Sequence, residues 1–360
     1  MTPFERTLRD MIAHDGPISV ERYMALCLAH YYGTRDPLGA GGDFTTAPEI
    51  GQMFGELLGL WAVEVWQAMG RPDPVRLVEL GPGRGTLMAD ALRAARLVPA
   101  FGEAATVHLV ETSPSLRERQ RRTLAPTGAR LSWHDGLESV PPGPALVIAN
   151  EFLDALPIRQ FVATERGWCE RLVGLREDRL VFGLSPEPEP GLPPPASPGD
   201  ILEWPRAAID LAGSLAERLA SAGGAALLID YGYWGPGLGD TLQAVRRQVY
   251  ADPLESPGEA DLTAHVDFRR LAEAAGARLR VHGPVRQAEF LEALGIRARA
   301  AALKKRASPE QAAQIDRALD RLTDRGSTGM GELFKVLGLS HAALAALPAL
   351  PPRPLDTSRP

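Results

Sequence analysis

The sequence predicts an α/β fold: a doubly wound, mostly parallel sheet with an N-terminal helical region, inserted antiparallel strands and C-terminal helical additions. Three observations predict it. Apolar runs of strand length alternate with helical stretches, as in VRLVEL (75–80), TVHLVE (106–111), ALVIAN (145–150) and AALLIDYG (225–232). Such runs suit strands buried on both faces by flanking helices. The first run opens through GPGRGT into MADALRAARLV, a strand–turn–helix unit. Residues 158–184 then alternate apolar and polar, the pattern of antiparallel strands.

The elements follow in order. Residues 1–73 read as helical, with Leu8, Met11 and Ile12 at helical spacing and MFGELLGLWAVEVWQAM (53–69) as a strong helix. That helix is too apolar to stand alone and packs on something larger, or supports a partner surface. Between the helices, YYGTRDPLGAGGDFTTAPEI (31–50) is a Gly- and Pro-punctuated loop of a length that means function or disorder, and its aromatic and acidic content favours function. Residues 74–184 form the core with its inserted strands, including a short strand near ARLSW (129–133). SPEPEPGLPPPASPG (185–199) is too rich in proline for a helix or a central strand and reads as an exposed loop within 185–200. The core resumes over 201–285, with a helix near 266–275 and a strand in ARLRV (277–281); 286–360 read as helices and a Pro-rich tail.

The 360 residues, 45% hydrophobic and 23% charged, suit an ordinary globular chain of one or two domains. A net charge of -6 gives no global field for nucleic acid, and Arg117, Arg119, Arg121 and Arg122 read as a solvated helix face. Cys27 and Cys169 form no CxxC pattern and suggest a reducing compartment. Without an apolar leader or a spanning run, the expectation is a cytoplasmic protein with no integral membrane segment.

VELGPGRGT (78–86) is the chemical centre. Gly81, Gly83 and Gly85 stand between a strand and a helix, where glycine permits a tight turn and close backbone approach to a ligand. A dinucleotide fingerprint needs glycine where Thr86 stands, and Glu79 would repel a pyrophosphate. Near a ligand's ammonium the same acid is favourable. The loop therefore suits S-adenosylmethionine, which is cationic and carries no phosphate. Glu111, ending the second strand, can accept both ribose hydroxyls, or serve as an acid at the helix start marked by Ser113 and Pro114. Asp135 ends the third strand, placed to meet the adenine amino group.

With NEFLDALP (150–157) added, the chain resembles the MidA-like group of S-adenosylmethionine-dependent methyltransferases. The resemblance runs over nearly the whole chain, through GDFTTAPEIGQMFGELLGLW (42–61), VELGPGRG (78–85), IDYGY (229–233), PGEADLTAHVDF (257–268) and MGELFKVL (330–337). One departure is Gln248, where the group leads one to expect histidine. The resemblance implies a class I methyltransferase, Rossmann-like fold with extra helices at both ends. It also implies that Phe44, Thr45, Thr46, Pro48 and Glu49 fold over the cofactor. The mitochondrial member is an arginine methyltransferase and complex I assembly factor, in the matrix. The implied partner is thus a protein, the complex I catalytic-core subunit or its bacterial counterpart. A homodimer through the end helices is a further expectation.

Methyl transfer to a guanidine needs no metal and no covalent intermediate. It needs alignment of acceptor, methyl and sulfur, carboxylates to hold the guanidinium, and loss of one proton. Glu151 and Asp154 follow the fourth strand, where open α/β sheets place ligands; Asn150 can orient cofactor or acceptor. Capping of a helix begun by EFLDAL is the competing explanation. Asp230 and Tyr231 can line the same mouth as substrate contacts, or form a turn. His265 can accept the proton, or stand at a helix start capped by Asp261, Thr263 and Asp267. The histidines lack metal-ligand spacing. The rival readings are a catalytically silent assembly module, a small-molecule methyltransferase and, disfavoured by Thr86 and Glu79, a nicotinamide dehydrogenase.

Overall fold

A computed structural model describes residues 1–34, 46–194, 197–235, 237–246 and 249–354. Phe44, Thr45 and Gln248 lie outside the described residues. The chain forms two compact units. The first comprises Met1–Phe44, Asp154–Asp210 and Tyr233–Asp267; the second comprises Thr45–Leu153, Leu211–Gly232 and Phe268–Pro360.

The second unit carries the central sheet. Its longer strands are β1 (Val75–Leu80), β2 (Ala105–Val110), β3 (Leu131–His134), β4 (Ala145–Asn150), β5 (Gly224–Tyr233), β6 (Leu279–Arg286) and β7 (Phe334–His341), and the two-residue strand Pro352–Arg353 pairs with β6 at the edge. They lie in the order 3-2-1-4-5-7-6. The first five are parallel to one another, and β7 runs antiparallel to both β5 and β6. Every residue of β4 is buried, as its apolar run requires of a strand covered on both faces. The order reverses between β1 and β4, and their carboxyl ends flank the crevice where such sheets bind ligands.

The apolar helix of the N-terminal region is α1 (Met53–Ala68), and its partner α2 (Thr86–Ala95) follows the glycine loop. Gly55 and Gly59, four residues apart, let the two backbones touch. A Cβ on Gly59 would stand 2.3 Å from the Ala91 carbonyl oxygen. Met53, Phe54, Leu57, Leu58 and Trp61 are buried and Leu60 is exposed, so most of this stretch is core. Glu56, buried in the same helix, accepts from Arg93 at 3.1 Å and from Arg299 at 2.8 and 2.9 Å.

The last 75 residues are not helical throughout, because Phe334–His341 is the strand β7 inside the sheet. Residues 151–158 form turns, with no helix for Asn150, Glu151 or Asp154 to cap.

The first unit contains the helices Pro3–Asp15 and Val20–Thr34 and an antiparallel sheet in the order Ile18–Ser19, Gly167–Arg176, Arg159–Thr164, Ile201–Trp204. The strand Arg179–Pro188 pairs with Gly167–Arg176 and so runs into the Pro-rich segment, which was expected to be loop. It has one partner strand, and proline is tolerated where no second ladder bond is needed. A second sheet joins Val249–Ala251, Gln243–Arg246 and Asp261–Thr263. Among the described residues no helix is long and apolar enough to cross a membrane.

Candidate active site

The second unit gathers most of the expected residues at the carboxyl ends of β1 to β5. The glycine loop leaves β1 with φ of 63° at Gly81, 52° at Gly83 and 82° at Gly85, conformations that L side chains resist. A Cβ on Gly81 would also meet the Phe152 ring at 2.6 Å. Phe152 is thus packed on the turn, a contact that its place in NEFLDALP did not reveal.

Glu79 is buried, 3% exposed, and its Oε2 has no hydrogen-bond partner. Burial alone pushes its carboxyl up to about 8. Unrelieved, such a group is costly; a cation bound beside it supplies the missing partner. Asn150 Oδ1 is a second buried acceptor without a partner, at the end of β4. These two unmet acceptors, beside a turn open to close backbone approach, fit a cationic ligand without phosphate.

Glu111 stands just beyond β2. Its Oε1 accepts from the Ser113 amide at 2.8 Å and its Oε2 from Gln120 Nε2 at 3.2 Å. Burial raises its carboxyl above the ordinary range, against the pull of these donors. The next helix, α3 (Pro114–Leu124), is capped by Ser113, so Glu111 both braces that cap and presents acid at the strand end. Asp135, after β3, is exposed and ion-paired to Arg117 at 2.6 Å.

The segment expected to cover the cofactor begins, among the described residues, at Thr46, the N-cap of the short helix Ala47–Ile50, with Pro48 in its first turn. It is latched to both sides of the crevice. Thr86 Oγ1 donates to Glu49 Oε1 at 2.6 Å, and Arg84 stands 3.9 Å from the same carboxylate. The Ala47 amide donates to Glu151 Oε1 at 2.7 Å. Thr86, notable in the sequence only for not being glycine, therefore ties the glycine loop to this segment.

Glu151 adopts φ of 50°, an unusual conformation for a residue with a side chain. Its amide donates to the Ile229 carbonyl at 2.9 Å, and Asn150 Nδ2 donates to its Oε1 at 3.1 Å. Asp230, fully buried within β5, accepts from the Phe152 and Leu153 amides at 3.1 and 2.9 Å and from the Tyr231 amide at 3.0 Å. It lies in the strand and not after it. Its carboxylate braces the turn that carries Glu151 and Phe152. The Tyr231 ring packs edge-on against Phe334, with centroids 5.6 Å apart.

Asp154 and His265 belong to the first unit. Asp154 is buried, and its carbonyl accepts from the Ala264 amide at 2.9 Å. Tyr32 donates to Asp261 at 2.9 Å; burial, and then the charges of Asp261 and Asp154, push its hydroxyl well above the ordinary range. His265 is exposed, and its amide donates to Thr241 Oγ1 at 2.9 Å.

A family profile described as "Putative S-adenosyl-L-methionine-dependent methyltransferase" matches residues 57–285. The chain is 38% identical to the mitochondrial protein arginine methyltransferase NDUFAF7 homolog of Drosophila melanogaster, covering 95% of this chain and 85% of the relative. It is 36% identical to the Homo sapiens NDUFAF7 protein, covering 94% and 83%. A crystal structure from Burkholderia thailandensis, solved with S-adenosyl-homocysteine bound, superposes with a TM-score of 0.81 at 30% identity, covering 96% of this chain and 94% of that one. The unmet acceptors and the glycine turn fit the cofactor that this kinship brings, and the chain belongs to the S-adenosyl-L-methionine-dependent methyltransferase family that it shares with the NDUFAF7 proteins.

Proposed function

We propose that this enzyme methylates a guanidino nitrogen of a protein arginine, on the catalytic-core subunit of respiratory complex I or its bacterial counterpart, during assembly. The observation that carries the reading is Glu151: a carboxylate on a left-handed residue at the end of β4, with one oxygen held by Ala47 and Asn150. The kinship with proteins named as arginine methyltransferases supports the same acceptor.

S-adenosylmethionine supplies a methyl group activated by the sulfonium. Gly81, Gly83 and Gly85 give it a backbone surface, Glu79 meets its positive charge, and Glu111 receives the ribose hydroxyls. Thr46, Pro48 and Glu49 cover it, and Asp135 marks the adenine end. Asn150 presents an acceptor toward it through Oδ1. Glu151 holds the acceptor guanidinium by charge-assisted hydrogen bonds, which fix one nitrogen in line and localise its positive charge elsewhere. Asp230 keeps that geometry by bracing the turn, and Tyr231 supports the adjoining wall. Asp154 as a second carboxylate and His265 as proton acceptor are part of the proposal. Substitution by Asn and Gln, respectively, should lower turnover while sparing cofactor affinity.

The eukaryotic relatives are mitochondrial by name. For this chain we place the reaction in the cytoplasm, a reading supported by Cys27 and Cys169 being free and buried. The test supplies purified protein with methyl-labelled S-adenosylmethionine and lysate from a strain lacking it, then hydrolyses the labelled band. Methylarginine in one protein supports the proposal. A different methylated product discards arginine. No label from a preparation that binds the cofactor favours a silent assembly module.

A further inference from the structure

Gln120 lies in α3 within the run RERQRRTL, which reads as a solvated face, yet it is fully buried. Its side-chain amide joins three elements of the cofactor crevice. Nε2 donates to the Gly83 carbonyl at 2.8 Å and to Glu111 Oε2 at 3.2 Å, and Oε1 accepts from Trp133 Nε1 at 2.8 Å. The amide has two hydrogens, and both are used. Only one orientation works: turned over, its oxygen would face two acceptors and its NH2 group would face an N–H donor. The glycine loop is also seated on this residue, since a Cβ on Gly85 would lie 3.5 Å from Gln120 Cα.

We infer that Gln120 is a positioning residue that sets the ribose selectivity of the site, by fixing the rotation of the Glu111 carboxylate relative to the glycine loop. The inference rests on the proposed ribose role of Glu111. The Ser113 amide holds Oε1, the Thr112 backbone adds a further local donor, and Gln120 is the side chain that holds Oε2 from another element. The carboxylate's remaining lone pairs then have fixed directions toward a vicinal diol. Because the same Nε2 grips Gly83, a shift of the glycine loop and a rotation of Glu111 are coupled through one planar group. A lysine or arginine could neutralise Glu111 there, but neither could accept from the Trp133 N–H.

The experiment measures calorimetric affinities of the whole protein for S-adenosylhomocysteine and its 2′-deoxyribose counterpart. The wild type should prefer the ribose form by about tenfold or more, the loss expected when a hydrogen bond to a charged group is removed. Gln120→Leu should bring the two affinities within about threefold of each other by freeing Glu111 to rotate. A merely structural role would weaken both ligands equally and keep the ratio, and that result overturns the inference. If the wild type itself does not discriminate, the ribose role of Glu111 fails first and the inference falls with it. Gln120→Glu, nearly isosteric, guards against a folding defect in the leucine variant. Its carboxyl can donate to only one of the two acceptors and only when protonated, so ribose discrimination should be greater at pH 6 than at pH 8. Discrimination equal to wild type at both pH values also overturns the inference.

Discussion

Two buried glutamates, one in each unit, have opposite surroundings. Glu203, in the first unit, accepts from the Thr241 amide at 2.9 Å, the Thr241 hydroxyl at 2.5 Å and Gln160 Nε2 at 2.8 Å. Gln160 continues to Asp240 at 2.9 Å, and Arg171 bonds both of these residues. Burial raises the Glu203 carboxyl, but its donors oppose the rise. Glu79, in the second unit, has burial alone acting on it. Glu203 has its hydrogen bonds satisfied within the protein, whereas Glu79 keeps one oxygen without a partner, which is the reason for proposing that it meets a ligand's cation.

The largest expected effect tests the turn beside Glu79. Gly81→Val should abolish measurable cofactor binding, since a Cβ there strikes Phe152 in a backbone conformation at φ 63°. Gly83→Val should do the same; cofactor affinity unchanged in both would remove the loop from the site. Next, Glu151→Gln should lower turnover by about a hundredfold or more through loss of its charge, while cofactor affinity stays within about twofold. Normal turnover would dismiss Glu151 from the chemistry.

Glu79→Gln removes the charge of the unpartnered acid. With a folded-state value of about 8 against an ordinary 4.5, the acid favours folding only while protonated. The stability it allows is fully present below pH 4.5 and is lost as pH rises toward 8. The glutamine variant, always neutral, should therefore raise the Tm of ligand-free protein at pH 7.5 by roughly 2–5 °C. On the proposed pairing the cofactor's cation meets the ionised acid, so wild-type affinity should climb between pH 6 and 7.5 and the variant's should be weaker and flatter. A wild-type affinity that does not change over that interval would contradict the pairing of Glu79 with a cation.

The smallest effect on binding belongs to Glu203. Glu203→Leu should destabilise the protein by about 1–3 kcal/mol through its abandoned donors, seen as a lower denaturant midpoint. Its cofactor affinity should equal that of the wild type. A large loss of affinity would blur the distinction between the two acids.

Much of the second unit was legible because its strands are buried on both faces. VRLVEL, TVHLVE and ALVIAN advertise that burial in their composition, and the glycines beside them advertise the turn. β7 was not legible. FKVLGLSH is short, and its apolar content fits a buried helix segment equally well; pairing between β5 and β6 decides the matter. NEFLDALP has the residues of a capped helix, yet Asp230, 78 and 77 positions further on, captures the Phe152 and Leu153 amides that would begin one. Gln120 hides among arginines because local sequence records a side chain's polarity and not which neighbours arrive to bury it.

By itself, the sequence determined the sheet's parallel core, the glycine turn and the acids at the strand ends. Each depends on local periodicity or on the conformational freedom of a single residue type. Only the tertiary structure decided which polar groups were satisfied. Glu79 and Glu203 are the same residue type in apolar strand contexts, and what distinguishes them is the set of donors brought from distant parts of the chain. Hydrogen-bond saturation is a property of spatial neighbours, which the local sequence does not record.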